Sequence, residues 1–527
     1  MRRVKKFFFL FFSFMWFVPL FAQVDPAWVR RYSGPGVSDD GAAALVLDKS
    51  GNVYVTGHCD RDTSVFVNFD YVTLKYTTNG DTLWIRRYDG PVSGGDGGSD
   101  IAVDSIGNVY VTGFSDSSSS TDCATFKFAS NGDTLWYRRY RGYGYGAGLA
   151  VDDSGNVLIS GTFFDYAIIK YSPNGDSLWA RLYNGTGNGE DHLNDMVVDD
   201  SGNVYVTGYS DSDTSFQQNF DYATIKYAPD GDLVWVRRYN GQANLIDNAS
   251  ALAVDDSGNA YVTGYSEGIG TSGDYATVKY KANGDSAWVR RYNGPGNGFD
   301  RALALAVDGS ENMYVTGFSW SGTNYDYATI KYNSAGDTLW VRRYNGPGNS
   351  DDYAYGLAVD GSGNVYVTGS SSGSGTNYDY ATIKYSPNGV TLWSIRYNGT
   401  ANGDDGAVAL AVDDSGNVYV TGRSNSGGSS FDYATVKYVP VTCVAKPGDA
   451  NASSDYSLAD VISIVNYIFN KPGCSPLPLC WLTSLLCRGD WDGSTTVTLS
   501  DVIRAVNFIF NKPGGPWNPV PVGVCCL

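Results

Sequence analysis

From residue 28 to residue 438 the chain alternates short apolar runs with clusters of Gly, Asn, Asp and Ser. The runs are of four kinds and return in a fixed order. The first is an A-L-A-V-D run of small residues, as in Leu303 to Asp308. The second, V-Y-V-T, is β-branched and aromatic, which favours extended backbone. The third is Y-A-T-I-K-Y and the fourth W-V-R-R-Y. D-x-S-G-N, as in Asp360 to Asn364, joins the first run to the second and predicts a tight hairpin. S-P-N-G-D, as in Ser172 to Asp176, turns the third run into the fourth. The pattern predicts four antiparallel strands per unit. Small residues suit the first strand to a crowded centre, and the Arg pair places the fourth on an outer edge, where charge opposes edge-to-edge association.

The units repeat along the chain. G-N-V-Y-V-T-G or a variant begins at Gly51, Gly107, Gly155, Gly202, Gly258, Glu311, Gly363 and Gly416. D-Y-A-T-I-K-Y or a variant begins at Asp70, Asp122, Asp165, Asp221, Asp274, Asp326, Asp379 and Asp432. The fourth-run Trp is 84, 136, 179, 235, 288, 340 and 393, with successive copies 43 to 56 residues apart. Four-stranded units at that period predict an all-β, eight-bladed β-propeller over residues 23–439. The third unit (Gly142 to Leu178) is short but keeps all four runs, so the count is eight rather than seven. The last unit ends at Tyr438 without a Trp run. A free copy, Trp28 to Tyr32, stands at the other end of the array and is expected to complete that blade and close the ring.

V-D-x-S-G-N-V-Y-V-T-G, as in Val412 to Gly422, resembles the exported bacterial β-propeller repeat often called SBBP. The likeness covers residues 28 to 438. It implies the fold and says little about function.

In a blade wound this way, the first-to-second and third-to-fourth turns share one face, here called the bottom. The variable second-to-third loops and the blade crossings share the top, where ligands are expected. The third unit has almost no such loop (Thr162 to Phe164). Asp40, Asp96, Asp191, Asp247, Asp300, Asp352 and Asp405 recur eight residues before each A-V-D Asp, with Gly144 in the third unit. They are expected around the mouth of the channel, either as a cation or ligand site or as acceptors for backbone N–H groups of the crossings. Repetition favours the second reading. Trp320 is the one propeller Trp outside the repeat frame, fitted either to stack on a sugar or to anchor its loop. Cys59 and Cys123 either form a disulfide between adjacent blades or stay free thiols.

Composition adds an address. Arg2, Arg3, Lys5 and Lys6 precede an apolar run from Phe7 to Ala22, read as a secretory signal over residues 1–22. No later stretch is long and apolar enough to span a membrane, so the mature chain is expected to be secreted, extracellular or cell-surface associated. Formal charge is −18, and loss of those four basic residues takes it to −22, which argues against nucleic acid as a partner. Six of eight Cys (Cys443, Cys474, Cys480, Cys487, Cys525, Cys526) lie after residue 440, as in a disulfide-stapled small domain; the sequence leaves their pairing open. His58 and His192 are the only His, neither in a catalytic motif, and no catalytic residue is assigned.

After a linker (440–447) two loops share one spacing. Oxygen side chains at loop positions 1, 3, 5, 9 and 12 suit a calcium shell. They are Asp449, Asn451, Ser453, Ser457 and Asp460, then Asp490, Asp492, Ser494, Thr498 and Asp501. Asp455 and Thr496 at position 7 offer backbone carbonyls. Amphipathic helices are expected over Val461 to Asn470 and Val502 to Asn511. This module (448–515), followed by a Cys-containing tail (516–527), resembles a type I dockerin. The resemblance implies calcium as cofactor and a cohesin-like partner. Departures are Ser453 and Ser494 where Asp is usual, Ser454 and Thr495 where Gly is usual, and mostly apolar residues (Leu458, Ala459, Leu499, Ser500) at the recognition positions. The expected protein is a secreted, non-catalytic binding or scaffold protein whose propeller takes a carbohydrate or protein ligand. The alternative is a polysaccharide-degrading enzyme tethered by its dockerin.

Overall fold

The computed structural model describes residues 24–440 apart from 37–38, 61–67, 93, 143, 164, 188, 212–218 and 428–429. The segment expected to be a secretory signal, the dockerin-like module with its predicted calcium ligands, and the six Cys after residue 440 lie outside the described residues. Val24–Val439 form one compact unit.

Eight four-stranded sheets make up that unit. Blade 1 comprises Gly41–Leu47, Val53–Asp60, Phe69–Tyr76 and Thr82–Tyr88, each antiparallel to the last. Blades 2 to 7 repeat this over 96–140, 145–183, 191–239, 247–292, 300–344 and 352–397. Blade 8 takes Asp405–Val412, Val418–Gly427 and Ser430–Pro440, and its fourth strand is Val24–Tyr32 from the other end of the array. The short third unit is a full blade. First strands of neighbouring blades adjoin at the centre, as their small residues suggest.

Local chemistry explains the repeats. In blade 7 Asp360 Oδ1 accepts the N–H groups of Ser362 (3.0 Å) and Asn364 (2.9 Å), while Oδ2 takes Asn364 Nδ2 (2.8 Å) and the Tyr366 hydroxyl (2.9 Å). One carboxylate thus closes the hairpin and ties it to the next strand. The Gly ending V-Y-V-T-G sits opposite a bulge in the first strand. At Gly369 a Cβ would run into the Tyr353 carbonyl and the Tyr327 hydroxyl of the preceding blade.

Blades 1 to 6 are each clamped to the next by their third and fourth strands, whereas blade 7 has Ile395 in place of the clamp Arg and reaches blade 8 through the Tyr380 hydroxyl, which donates to Ala434 O (3.0 Å). From blade 6, Trp340 Nε1 donates to Pro387 O (3.1 Å) and Arg342 Nε to Gly389 O, both in the turn of blade 7. The Arg342 guanidinium also lies 5.8 Å from the Trp340 ring centre. Lys331 Nζ donates to Pro387 O (3.2 Å) and the Tyr327 hydroxyl to Ala381 O (3.3 Å). Blade 8 reaches blade 1 in the same way. Trp28 Nε1 donates to Thr78 O (3.1 Å), Arg30 Nε to Gly80 O (2.5 Å) and Lys437 Nζ to Thr78 O (3.0 Å). The hydrophobic core follows this plan, each cluster joining two blades: Tyr314, Tyr327 and Trp340 pack with Val365, Val367 and Ile383.

Two expectations need correction, and one open choice is decided. The Arg pair is not free edge charge: the first Arg clamps the next blade, and the second turns into its own, as Arg343 does to Asp326 Oδ2 (2.9 Å) and Ser319 O (2.9 Å). Cys59 and Cys123 are buried free thiols and form no disulfide. Cys59 joins the cluster around Trp28 and Tyr419, whereas Cys123 joins the one around Tyr110 and Leu149, so they point into different blade junctions. Finally, Trp320 ends a strand, Met313–Trp320, rather than standing in a loop.

Two acids distinguish the inner strands. Asp100 accepts N–H bonds from Ile101 and, across the blade junction, from Leu149, both at 2.8 Å. Asp195 does the same with Met196 (2.8 Å) and Leu252 (2.7 Å). Burial outweighs these bonds and raises the carboxyl of Asp100 to about 6 and that of Asp195 to about 7. An unfolded Asp ionises near 3.9. Between those values the folded state holds protons that the unfolded state has released. The contribution of these groups is therefore full below about pH 4 and is lost as pH rises through 6 to 7. Melting temperature measured from about pH 5 to about pH 8 should fall more steeply for the parent chain than for Asp195→Asn, which should melt higher at pH 8. A parallel pair of curves would contradict this assignment.

Candidate ligand-binding face

The Asp ring expected at the channel mouth is structural. Its seven carboxylates are at most 2% exposed, so they do not line an open mouth. Asp352 Oδ2 accepts the Gly346 N–H (2.6 Å) from the crossing, and Oδ1 accepts the Ser372 N–H (3.0 Å) at the end of the second strand. Asp300 does likewise with Gly294 (2.7 Å) and Trp320 (2.9 Å). Each ties a crossing to the top of its blade. Burial raises the carboxyls of Asp40 and Asp247 to about 6.

The top of blades 5 to 7 carries something the repeat does not require. Seven half-buried aromatic side chains adjoin one another there. Tyr265 and Phe299 have ring centres 5.0 Å apart, Phe299 and Phe318 6.0 Å, Phe318 and Tyr325 5.2 Å, Phe318 and Tyr353 5.1 Å, and Tyr353 and Tyr378 6.3 Å. Trp320 joins at the side, edge-on to Tyr325 at 5.1 Å. Its ring packs against Gly298 of the crossing, and its carbonyl accepts the Gly296 N–H (3.3 Å), so it anchors the loop as well as extending the array. Charged groups edge the array. Asp351 Oδ2 accepts the Tyr353 hydroxyl (3.2 Å), Asp351 Oδ1 the Tyr325 N–H (2.9 Å), and the Arg301 guanidinium lies 5.5 Å from the Tyr265 ring. Half-buried rings offer flat apolar faces with polar edges, suited to ligands that are themselves flat on one side and hydroxylated at the rim.

The two His belong to the same layer. His192 stacks on Tyr209 at 4.8 Å and His58 meets Phe69 edge-on at 4.6 Å. Burial lowers the pKa of both imidazoles, favouring their neutral form. They take part in aromatic packing at positions where blade 6 has Phe318 and blade 7 has Tyr353.

A protein-family model described as "SBBP: Beta-propeller repeat" matches residues 178–216, 234–270, 339–376 and 394–428. The propeller carries SBBP repeats. An uncharacterized WD repeat-containing protein of Acanthamoeba polyphaga mimivirus is 22% identical over 333 residues, covering 52% of this chain and 23% of that protein. The regulatory protein FlaEY of Caulobacter vibrioides is 33% identical over 138 residues, covering 24% of this chain and 14% of that one. The chain thus spans less than a quarter of the length of either. Among solved structures, Sqt1 of Chaetomium thermophilum has a TM-score of 0.51 at 8% identity, covering 80% of this chain and 99% of that one. The Dos1 propeller has a TM-score of 0.50 at 8% identity, covering 79% and 95%. These likenesses show the fold alone.

On the bottom face the SBBP turns frame grooves between blades. One of 520 Å³ is lined by Asp308, Asn312, Lys331, Asp360 and Ser362 among others, and another of 230 Å³ by Asp199, Lys226 and Asp255. Both are made of hairpin and clamp residues that the units repeat. The aromatic array instead sits in the columns flanking the motifs: the residue after V-T-G (Phe318), those before D-Y-A-T (Tyr325, Tyr378), and those beside the ring Asp (Phe299, Tyr353). These columns vary between repeats, with Gly273 and Ser370 at two of them, and the aromatic residues they do hold on blades 5 to 7 adjoin one another. That signal was present in the sequence and shows its meaning only once the crossings bring the columns together.

Proposed function

We propose that this is an exported, non-catalytic binding platform whose aromatic top face on blades 5 to 7 holds a glycan. The carrying observation is the continuous ring array with Asp351 and Arg301 at its edge. Pyranose rings present an apolar face that stacks on Tyr and Trp, while their hydroxyls need acceptors and donors at the rim. The signal-like residues 1–22 support export. The dockerin-like module 448–515 gives the platform its attachment: calcium held by Asp449, Asp460, Asp490, Asp501 and their loop partners organises it for a cohesin-like partner on the cell surface or in a secreted complex. Protein ligands on the same face, and an enzyme acting on polysaccharide there, are the outcomes to separate from it.

Two measurements test this reading. The full chain screened on a broad glycan array should retain a neutral polysaccharide without releasing new reducing ends. Tyr325→Ala and Tyr353→Ala should each weaken that binding about tenfold, roughly 1.4 kcal/mol, while leaving the melting temperature nearly unchanged. New reducing ends would make it an enzyme, and no retained glycan would remove the glycan reading.

The tail is tested by calcium titration of the full chain. Its second loop has Asp492 where the first has Asn451, and affinity follows ligand charge. Asp490→Ala should therefore remove the stronger of two tail binding events and Asp449→Ala the weaker. Equal loss from either substitution would contradict the ranking. Heat signals unchanged by both would contradict the calcium loops themselves.

A further inference from the structure

The first strands of blades 4, 5 and 6 depart from the repeat at two positions. One is the residue after the ring Asp: His192, Asn248 and Arg301, where blades 1, 2 and 8 have Gly41, Gly97 and Gly406. The other is the residue that the bulge leaves unpaired. It is Asn194 in blade 4 and Ser250 in blade 5, where blades 1 and 8 have Ala43 and Val408. The ring Asp marks the top of each blade and the first strand is innermost, so both positions lie at the top, around the centre of the ring. Asn194 is exposed, and Asn248, Ser250 and Arg301 are half-buried.

These side chains form a network across two blade junctions. Asn194 Nδ2 donates to the Ala249 carbonyl (2.7 Å) and to Asn248 Oδ1 (3.1 Å). Arg301 Nε donates to Ser250 Oγ (3.4 Å), and its guanidinium rests on the Tyr265 ring. A carbonyl can only accept, so the bond to Ala249 O fixes which end of the Asn194 amide is nitrogen. That nitrogen in turn fixes the Asn248 amide, which must offer it oxygen. The atoms left over are therefore set. Among the described residues Asn194 Oδ1 is an acceptor without a donor, and Asn248 Nδ2 a donor without an acceptor. Arg301 Nη1 and Nη2 add further donors, and no described carboxylate pairs with them. The second Arg of the fourth strand is, by contrast, spent on the fold, as Arg343 is on Asp326 and Ser319.

The network adjoins the aromatic array. Tyr265, beneath Arg301, is the array's first member, and His192 carries the ring layer onto blade 4 by stacking on Tyr209. Stacking holds a pyranose by its apolar face and is nearly indifferent to the direction of each hydroxyl. Fixed amide and guanidinium groups are not. A hydroxyl both donates and accepts, so two neighbouring hydroxyls can give a proton to Asn194 Oδ1 and take one from Asn248 Nδ2 or Arg301. A sugar whose hydroxyls point elsewhere leaves these groups unpaired, which costs more than a missing contact.

We propose that Asn194, Asn248 and Arg301 form the specificity subsite of the glycan face and read a vicinal pair of sugar hydroxyls, while the rings supply most of the affinity. The inference rests on the glycan reading of the array and adds to it the residues that choose among sugars. Ser250 is a positioning residue: it holds Arg301 Nε and so aims the rest of the guanidinium. Preset donors and acceptors lose little freedom on binding, which favours discrimination over plasticity.

The experiment titrates the full chain with soluble neutral polysaccharides: a glucan, a mannan, a galactan and a xylan. The parent should bind one of them about tenfold or more tightly than the others. Asn248→Asp keeps the size of the side chain and an oxygen toward Asn194 but turns the free donor into an acceptor. It should lower affinity for the preferred polymer about tenfold, to the level of the others, with the melting temperature nearly unchanged. Asn194→Ala, which removes the acceptor and releases the Asn248 amide, should do the same. Tyr353→Ala should instead weaken every bound polymer by a similar factor and keep their ranking. A ranking retained in both Asn248→Asp and Asn194→Ala, or a parent that binds all the polymers alike, would overturn the specificity subsite and leave the aromatic face standing. A parent that binds none of them would contradict the glycan reading and the subsite together.

Discussion

The fold depends on a side-chain clamp that reaches across seven of the eight blade junctions; at the eighth, blade 7 has Ile395 in place of the Arg and blade 8 has no third-to-fourth turn, because its fourth strand comes from the other end of the array. A fourth-strand Trp and its following Arg donate to carbonyls in the turn of the next blade, as Trp84 and Arg86 do to Ser130 and Gly132. The guanidinium covers the indole face, 5.5 to 5.8 Å away from blade to blade. The turn carbonyls would otherwise face partly dry protein without donors, at a cost of about 1 to 3 kcal/mol each. Because the clamp always points forward, the turn of blade 1 would have no donor without the strand that bears Trp28. Closure supplies that donor. It is achieved because the strand bearing Trp28 precedes the first blade in sequence while belonging to the last in space.

This directionality explains how much could be read from the chain. Strand identity, the hairpin at D-x-S-G-N, the eight-blade count and closure by Trp28 to Tyr32 all follow from motif order, and the structure has them. What the motifs did not reveal is where side chains go between blades. The Arg pair looks like solvated edge charge in sequence, yet one member crosses the junction and the other binds an Asp seventeen residues back, as Arg343 binds Asp326. Cys59 and Cys123 sit close in strand order but face opposite neighbours. The ring of Asp at 300, 352 and their counterparts looks like a ligand site until the crossing loop is seen folded over it. The aromatic face was visible only as Trp320, because its other members are scattered over more than a hundred residues.

The repeat and its exceptions divide the work. Residues present in nearly every blade satisfy hairpins and clamps, and the bottom grooves they line are by-products of that packing. Departures from the repeat gather on the top face: aromatic residues on blades 5 to 7, and the exchange of Ser for Cys59 and Asn for Asp89 at the first junction. A scaffold held by seven copies of one interaction tolerates such local changes because the clamp lies at the other end of the blade. That separation lets a rigid ring carry an asymmetric surface.

Closure of the ring by the first strand is the claim on which the rest stands. Native-state hydrogen exchange, comparing the parent with a chain lacking residues 24–32, tests it directly. The account predicts that amides of blade 8 (405–440) and of blade 1 (41–88) lose protection together, because the deletion exposes one sheet edge and empties one clamp. Blade 4, opposite the break, should be affected least. Protection left unchanged in blades 8 and 1 would contradict closure by this strand.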